Sequence, residues 1–361
     1  MKELASLTEG RFALATILHA SGSAPRPVGT TMAVCEDGSV VGSLSGGCVE
    51  AAVHAVALEV LSTGEARVET YGVSDGEALE AGLTCGGTIS VLVRPGSAAT
   101  AARVLAQDSV ALATVVSTGA EVVVTADEVW GSTGDAGLDV AVVADARGAL
   151  AAGQTVVRHY GASGERRVDD TAVLVQVWSP PARMLVYGAT DFARALASAG
   201  RFLGYRVTVC DARPVFATAA RFPEADEVVN RWPHDHLRDE VAAGRVDERT
   251  VVAVLTHDPR FDVPLLVEAL SSPAGYVGAM GSRRTHDARM LQLREAGLSP
   301  LALSRLRSPI GLDIGGRTPE ETAISIAAEI VQQRWGGTGQ PLARTDGDIH
   351  WTVELPQTLV R

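Results

Sequence analysis

The C-terminal half of the chain alternates short apolar runs with amphipathic stretches. Four compact apolar runs predict strands, at 184–187, 206–210, 251–256 and 276–280. Strands separated by helical stretches, such as the predicted helix at 192–203, are typical of a parallel sheet. The pattern therefore predicts a Rossmann-type α/β domain over residues 182–335. Thr318-Pro319-Glu320-Glu321 predicts a capping box that opens its last helix.

The N-terminal half has shorter apolar segments separated by Gly, Ser and Asp turns. Apolar or alternating runs predict strands at 12–19, 31–35, 88–93, 111–116, 121–125, 140–144 and 172–177. Valines at spacings of three and four predict a helix over 49–61. We expect one mixed α+β domain over residues 1–179, a stiff link at Ser179-Pro180-Pro181 and an extension over 336–361.

Length and charge narrow the class of protein. A chain of 361 residues exceeds one ordinary core, which favours two domains. The net charge of −12 argues against nucleic acid or an anionic membrane as partner. No signal-peptide pattern and no apolar run near the roughly 18 residues of a membrane span are present. Four cysteines without paired spacing fit a reducing compartment, so we expect a cytoplasmic protein.

A partial dinucleotide motif follows the first strand of the C-terminal domain. It reads Gly188-Ala189-Thr190-Asp191-Phe192-Ala193, and Asp211 lies 23 residues after Gly188. The G-x-G-x-x-G/A fingerprint and its distal acid match except at Thr190, whose branched side chain replaces the middle glycine. Two interpretations follow: a nucleotide or phosphate site at the helix N-terminus, or a Rossmann scaffold that has lost or altered dinucleotide binding.

Three further polar positions are candidates for ligand contacts. His257 follows the strand at 251–256 and fits either an acid/base group or a residue bonded to Asp258. Ser282, Arg283 and Arg284 follow the strand at 276–280, where a helix N-terminus and guanidinium groups favour anions. Arg26, between two prolines, fits either a phosphate contact or a surface arginine.

Two cysteines on glycine loops are the most distinctive feature of the N-terminal half. Cys48 follows Gly46 and Gly47 at the start of the predicted helix, and Cys85 precedes Gly86. A thiol at a helix N-terminus is expected to have more thiolate character, and thiolate is a ligand that soft metals select. Glycines let a bulky ligand approach the backbone. Cys35 and Cys210 lie in apolar strands and are expected to be small buried hydrophobes, and no C-x₂₋₄-C spacing indicates zinc.

Five segments resemble one known family, the xanthine dehydrogenase accessory factors, also called the XdhC/CoxI family. They are SGSAPRPVGTTM (21–32), GSLSGGCVE (42–50), LTCGG (83–87), GAMGSRRT (278–285) and SPIGLDIGGRTPEETA (308–323). The resemblance spans residues 10–335. The family motif usually has glycine at the position of Thr190, which leaves a nucleotide role for that loop in question.

The resemblance implies a chaperone for the pterin-based molybdenum cofactor. Such proteins bind the cofactor, support exchange of an oxo ligand for sulfur and deliver the cofactor to a molybdenum hydroxylase. By position, Cys48 and Cys85 would contact molybdenum or its sulfur. Arg26 and the Ser282–Arg284 group would contact the phosphate or nucleotide end. Implied partners are the client enzyme and a sulfur donor, and the exposed docking that such a chaperone needs favours a second copy of the chain.

Two alternative functions also follow from the Rossmann motif: an NAD(P)-dependent oxidoreductase and a nucleotide-binding regulatory protein. Against the first, Lys2 is the only lysine, so a Tyr/Lys dehydrogenase pair lacks its lysine. The chain also lacks the cysteine clusters that iron–sulfur centres require, which argues against its being a molybdenum hydroxylase itself.

Overall fold

The computed structural model describes residues 10–21, 26–72, 87–166, 168–256 and 258–346. The chain divides into two compact units, the first ending at Pro180 and the second beginning at Pro181. The first unit contains two five-stranded antiparallel sheets, and the second contains one six-stranded parallel sheet.

The first unit consists of two segments with the same order of elements. The first repeat contains β1 (Phe12–Ser21), β2 (Thr31–Cys35), β3 (Val40–Gly42), α1 (Glu50–Thr63), β4 (Arg67–Tyr71) and β5 (Thr88–Pro95). Helix α2 (Ala98–Leu105) leads to the second repeat. That repeat contains β6 (Val110–Val115), β7 (Glu121–Val124), β8 (Val129–Gly131), α3 (Ala136–Ala152), β9 (Val156–Tyr160) and β10 (Thr171–Trp178). The strand orders, β3-β2-β1-β5-β4 and β8-β7-β6-β10-β9, are the same.

Side chains match between the repeats as well as topology. Strands β3 and β8 end at Gly42 and Gly131. Helices α1 and α3 each end 21 positions after the glycine of their own repeat. Each helix buries apolar side chains at the same four offsets against its own sheet: Val49 and Leu138, Val53 and Val142, Ala57 and Ala146, Leu61 and Leu150. Four coincident buried positions on one helix face indicate that the two repeats are copies of one structural unit.

The two repeats are joined by reciprocal polar contacts. Arg94 of β5 forms a buried ion pair with Glu121, the first residue of β7, at 2.6 Å. Gln176 of β10 donates to the hydroxyl oxygen of Thr31, the first residue of β2, at 3.0 Å. Arg94 and Gln176 pair with equivalent residues of β1 and β6, so each repeat contacts the other through the same positions. Such reciprocity is the property of a two-fold interface.

The second unit has the strand order of a dinucleotide-binding fold. Its strands are β11 (Arg183–Tyr187), β12 (Arg206–Cys210), β13 (Glu227–Val229), β14 (Val251–Val254), β15 (Tyr276–Ala279) and β16 (Leu306–Arg307). Its helices are α4 (Asp191–Phe202), α5 (Pro233–Ala242), α6 (Pro259–Ser271), α7 (Arg283–Glu295), α8 (Pro300–Ser304) and α9 (Pro319–Trp335). The order β13-β12-β11-β14-β15-β16, with every neighbouring pair parallel, confirms the predicted Rossmann-type sheet.

Some local predictions are confirmed and others are wrong. The capping box at Thr318 is present, and Cys210 is buried, which raises the pKa of its thiol to about 12. The predicted strand 140–144 is wrong, because these residues lie inside α3. An apolar run of five residues does not separate a buried strand from a buried helix. The N-cap of α3 at Asp135 and its C-cap at Gly153 fix the helix.

Candidate functional site

The segment Ser43–Val49, which we call the cysteine loop, wraps around one carboxylate. The side chain of Glu50 accepts hydrogen bonds of 2.6 to 3.2 Å from two hydroxyl groups and five backbone N–H groups. The hydroxyls belong to Ser43 and Ser45, and the N–H groups to Leu44, Ser45, Gly46, Gly47 and Val49. Successive N–H groups that converge in this way form an anion-binding concavity, and here the protein supplies the anion.

The electrostatics of Glu50 follow from these donors. Burial raises the pKa of the carboxyl, but the hydrogen bonds from Ser45 and Ser43 outweigh it and hold the pKa far below its usual range. Glu50 therefore carries its charge at neutral pH. Hydrogen bonds to a charged acceptor are roughly twice as strong as neutral ones, so this carboxylate fixes the cysteine loop.

The glycines of the cysteine loop keep the start of α1 unwound. Gly46 has φ 81° and Gly47 has φ 125°, backbone conformations that L side chains rarely adopt. Both are exposed, and a Cβ added to either would meet no atom of the described residues within 4 Å. Glycine is therefore required here by conformation, and none of the described residues fills the space before the loop. Cys48 comes next, half-buried at the edge of the first repeat's core.

Cys48 lies at the start of α1, as the sequence predicted. Helix α1 begins at Glu50 with Val49 as its N-cap, so Cys48 comes immediately before the cap. The backbone N–H of Cys48 donates to the hydroxyl of Ser45 at 3.0 Å, while its neighbours donate to Glu50. The N–H groups on both sides of Cys48, those of Gly47 and Val49, thus bond to the Glu50 carboxylate.

The equivalent loop of the second repeat has a different conformation. Its acid, Asp139, lies eight positions after Gly131, as Glu50 lies eight after Gly42, and accepts bonds from Ser132 and Thr133. Helix α3 already begins at Ala136, one turn earlier than α1 in the aligned numbering. The residue that aligns with Cys48 is Gly137, where a Cβ would lie 2.4 Å from the backbone oxygen of Ser163. From Ala136 onward this segment is helical, a side chain at Gly137 would meet the backbone of Ser163, and no cysteine is present between Ser132 and Leu138.

Three predicted site residues lie outside the residues that the structure describes. They are Cys85, Gly86 and His257. Arg26 is described and exposed in the connection from β1 to β2. The roles assigned to these four residues from the sequence stay predictions.

In the second unit, Gly188 lies where the strand order reverses, between the ends of β11 and β14. Its φ is 108°, and a Cβ there would lie 2.7 Å from the side chain of Thr256. Thr190 is the N-cap of α4, and its hydroxyl accepts the N–H of Ala193 at 3.2 Å. The absence of a side chain at Gly188 thus lets the segments after β11 and β14 approach closely, and Thr190 caps the N-terminus of α4.

Asp211 does not present a ribose-binding carboxylate. It is 3% exposed, and it accepts bonds from the N–H of Ala189 at 2.7 Å and from the Arg213 guanidinium at 2.8 and 3.0 Å. Burial raises the pKa of Asp211, but the bonds from Arg213 and Ala189 outweigh it and lower the pKa below its usual value. A ribose hydroxyl would have to displace these partners. With Thr190 in the motif, this arrangement does not fit NAD(P) in the usual mode.

The arginines after β15 are placed as predicted, at the same sheet edge as Gly188. Ser282 is the N-cap of α7, and its hydroxyl accepts the N–H of Thr285 at 3.1 Å. Arg283 and Arg284 occupy the first turn of α7 and are exposed. Within the described ranges, neither guanidinium group forms an ion pair. Both are therefore available to an anion.

A buried polar network beneath this edge escaped the sequence analysis. Asp262 and Arg289 form an ion pair at 2.9 Å and are each 3% exposed. Asp262 also accepts the hydroxyl of Thr256, and Arg289 donates to the carbonyl oxygen of Met280 at 2.9 Å and the hydroxyl of Ser308 at 3.1 Å. The pair thus ties together the segments that follow β14, β15 and β16. No local motif marks it, because the two residues lie 27 positions apart.

Glu50 was also missed, although the sequence contains a signal for it. Gly-Ser followed by an acid at the eighth position occurs at Gly42 and again at Gly131. Glycine 22 positions after each start ends the helix, at Gly64 and Gly153. This repeated spacing would have identified both the duplication and the acid.

The described residues contain neither a cluster of metal ligands nor a membrane-crossing helix. No three His, Cys, Asp or Glu side chains in these ranges converge as a metal site. Of the helices in the same ranges, none has the length and apolarity that a bilayer crossing needs.

The fold and the site together define a protein with a Rossmann domain and a duplicated unit that carries a cysteine loop. The family model described as the XdhC Rossmann domain matches residues 184–330. The model of the XdhC and CoxI family matches two segments, 7–72 and 104–161, one in each repeat. The chain belongs to the XdhC and CoxI family.

Relatives of similar length support this assignment. The molybdenum cofactor insertion chaperone PaoD of Escherichia coli is 28% identical, over 89% of this chain and 83% of its own. A Bacillus subtilis protein named as a probable xanthine dehydrogenase subunit is 27% identical, over 89% of this chain and 92% of its own. A crystal structure of a Bacillus halodurans protein described as a xanthine dehydrogenase is 27% identical. It superposes with a TM-score of 0.66, covering 95% of this chain and 97% of that one.

Proposed function

We propose that this protein is a cytoplasmic maturation chaperone that holds a molybdenum cofactor at the cysteine loop and inserts it into a molybdenum hydroxylase. The observation that carries the proposal is the placement of Cys48 beside two exposed glycines in a loop held by a charged carboxylate. Support also comes from PaoD, a relative named as an insertion chaperone for this cofactor.

The chemistry of the loop suits a large, soft-metal cargo. A thiolate is the ligand that a soft or sulfur-bearing metal centre selects, so Cys48 would contact molybdenum or its sulfur. The open space before Gly46 and Gly47 admits a bulky pterin close to the backbone. We assign Cys85 as the second sulfur contact. In the second unit taken by itself, Arg283 and Arg284 are assigned from the family resemblance as contacts for a phosphate or nucleotide group.

Delivery and sulfuration complete the proposal. The client is an enzyme of the xanthine dehydrogenase type, as the name of the Bacillus subtilis relative suggests. A sulfur donor acts on the cargo while it is bound, and the chaperone functions as a homodimer. These three statements rest on the family resemblance and not on the geometry of the site.

The test is retention of free cofactor by purified protein under anaerobic conditions. Wild type, Cys48→Ala, Cys85→Ala and the control Cys35→Ala are exposed to molybdopterin cofactor and desalted, and bound pterin is measured by fluorescence. We expect retention in wild type and Cys35→Ala, and loss in Cys48→Ala and Cys85→Ala. Cys35 is the suitable control, because it is half-buried at the end of β2 in the same repeat. Wild type that retains no more pterin than an unrelated protein would refute the proposed function.

A further inference from the structure

We propose that Glu50 is the positioning residue of the cysteine loop: its carboxylate holds Ser43–Val49 in the unwound form that presents Cys48 to the cargo. The inference rests on the proposed function for the identity of the cargo. Its structural part, that Glu50 controls the exposure of Cys48, stands on the loop geometry alone.

The first step concerns the hydrogen bonds that the carboxylate satisfies. Five N–H groups of the loop donate to the two oxygens of the Glu50 carboxylate, those of Leu44, Ser45, Gly46, Gly47 and Val49. Without an acceptor these groups would lose bonds that the unwound backbone does not replace within itself. No other side chain among the described residues accepts from Gly47. The N–H groups of Gly46 and Val49 also donate to the hydroxyls of Ser43 and Ser45. Within the described residues, those of Leu44, Ser45 and Gly47 have Glu50 as their acceptor.

The second step is the comparison with Asp139. Among the described residues, its shorter side chain accepts from Thr133 and Ser132, at 2.6 to 2.7 Å. The N–H groups of Gly134 and Asp135 donate to the hydroxyls of Ser132 and Thr133 instead, and α3 begins at Ala136. Burial raises the pKa of Asp139, but the bonds from Thr133 and Ser132 outweigh it and lower the pKa. The two acids thus share an environment and a structural task. Only Glu50 spans a loop with a cysteine.

The third step concerns how the loop controls Cys48. The N–H of Gly47 on one side and that of Val49 on the other donate to the same carboxylate oxygen, at 2.8 and 3.2 Å. Cys48 is thereby held between two anchored residues. Removal of the carboxylate is therefore expected to loosen the loop and to make Cys48 react faster with alkylating reagents.

The experiment compares Glu50→Gln with Asp139→Asn as the matched control. Each change replaces a charged acceptor by an amide of the same size, so that both variants lose hydrogen bonds at equivalent positions. The alkylation rate of Cys48 by iodoacetamide is measured by mass spectrometry on its peptide, along with the unfolding midpoint and pterin retention. In Glu50→Gln we expect Cys48 to be alkylated about tenfold faster and pterin retention to be lost. A tenfold change in rate corresponds to about 1.4 kcal/mol of loop stability. Asp139→Asn should stay at the wild-type rate and retention.

Two further variants separate positioning from a general loss of structure. Glu50→Asp keeps the charge with a shorter reach, and should react at an intermediate rate. Glu50→Ala leaves room for a small external carboxylate, so added formate should return its Cys48 rate towards wild type. Formate should have no effect on Glu50→Gln, where the amide still fills the site.

The outcomes are distinct. A wild-type alkylation rate in Glu50→Gln, an equal acceleration in Asp139→Asn, or no response of Glu50→Ala to formate would overturn the assignment of Glu50. Absence of pterin from wild type would refute the proposed function instead. In that case the alkylation comparison would still decide whether Glu50 positions Cys48.

Discussion

The two repeats of the first unit differ in one helical turn. Both have the strand order, the buried helix face and the acid at the eighth position. In the second repeat the segment before the acid forms the first turn of α3, whereas in the first repeat Gly46 and Gly47 keep it unwound. The comparison indicates that the duplicated fold is a scaffold. The candidate site arises from Gly46, Gly47 and Cys48, together with the Glu50 carboxylate that holds their loop.

The energetics of the two loops explain how both forms are stable. Glycine loses more conformational freedom on folding than other residues, at roughly 0.5–1 kcal/mol relative to Ala. Hydrogen bonds to a charged group contribute about 1.5–3 kcal/mol each, so the bonds to Glu50 offset the cost of two ordered glycines. In the second repeat, Asp135 and Ala136 occupy the positions of Gly46 and Gly47, and helical bonds and the Asp135 cap do the same task.

The largest predicted effect tests whether the repeats are equivalent. Leu61→Ala and Leu150→Ala remove side chains that are 6% and 8% exposed at the same helix position. Each should lower the free energy of unfolding by about 2–4 kcal/mol, because each leaves a cavity in its own core. Urea denaturation of both variants measures this. A difference of more than about 2 kcal/mol between the two losses of stability would contradict the equivalence of the two cores.

A smaller effect distinguishes backbone strain from the site itself. Gly46 and the α1 C-cap Gly64 have φ of 81° and 78°, and a Cβ at either would meet no atom within 4 Å. Gly46→Ala and Gly64→Ala should therefore destabilise the protein alike, by about 1 kcal/mol. Only Gly46→Ala should reduce pterin retention. Equal retention in the two variants would show that the conformation of the cysteine loop does not matter for binding.

The last prediction concerns how the contribution of Glu50 to stability changes with pH. The pKa of Glu50 is lowered in the folded protein, so its contribution to stability is present above the unfolded value of 4.5 and declines as pH falls below it. Wild type should exceed Glu50→Gln by about 2 kcal/mol at neutral pH, with a smaller difference below pH 4.5. Urea denaturation across this range measures it. A difference that grows as pH falls would contradict the charged state of Glu50.

The sequence predicted the elements that have strong local signals. The Rossmann sheet follows from compact apolar strands between helices, and α9 from its capping box at Thr318. The placements of Ser282 as a helix cap and of Cys210 in the core are also as predicted. In each of these, neighbours along the chain determine the structure.

The features that were missed depend on residues that are distant in sequence or on a comparison within the chain. The run 140–144 is apolar enough for a strand, and only the caps of α3 identify a helix. Asp211 fits the position of a ribose ligand, but its bonds to Ala189 and Arg213 become visible only in the fold. Glu50 is a first-turn acid of α1, and the convergence of the loop N–H groups on its carboxylate is visible only in the fold.

The most direct test of the account is the stoichiometry of the cargo. Protein purified anaerobically from a host that makes the molybdenum cofactor is analysed for pterin by fluorescence and for molybdenum by mass spectrometry. Because one repeat has the cysteine loop and the other does not, wild type should carry one pterin and one molybdenum per chain, and Cys48→Ala should carry neither. Two pterins per chain, or an unchanged pterin content in Cys48→Ala, would contradict the assignment of the first repeat as the cargo site.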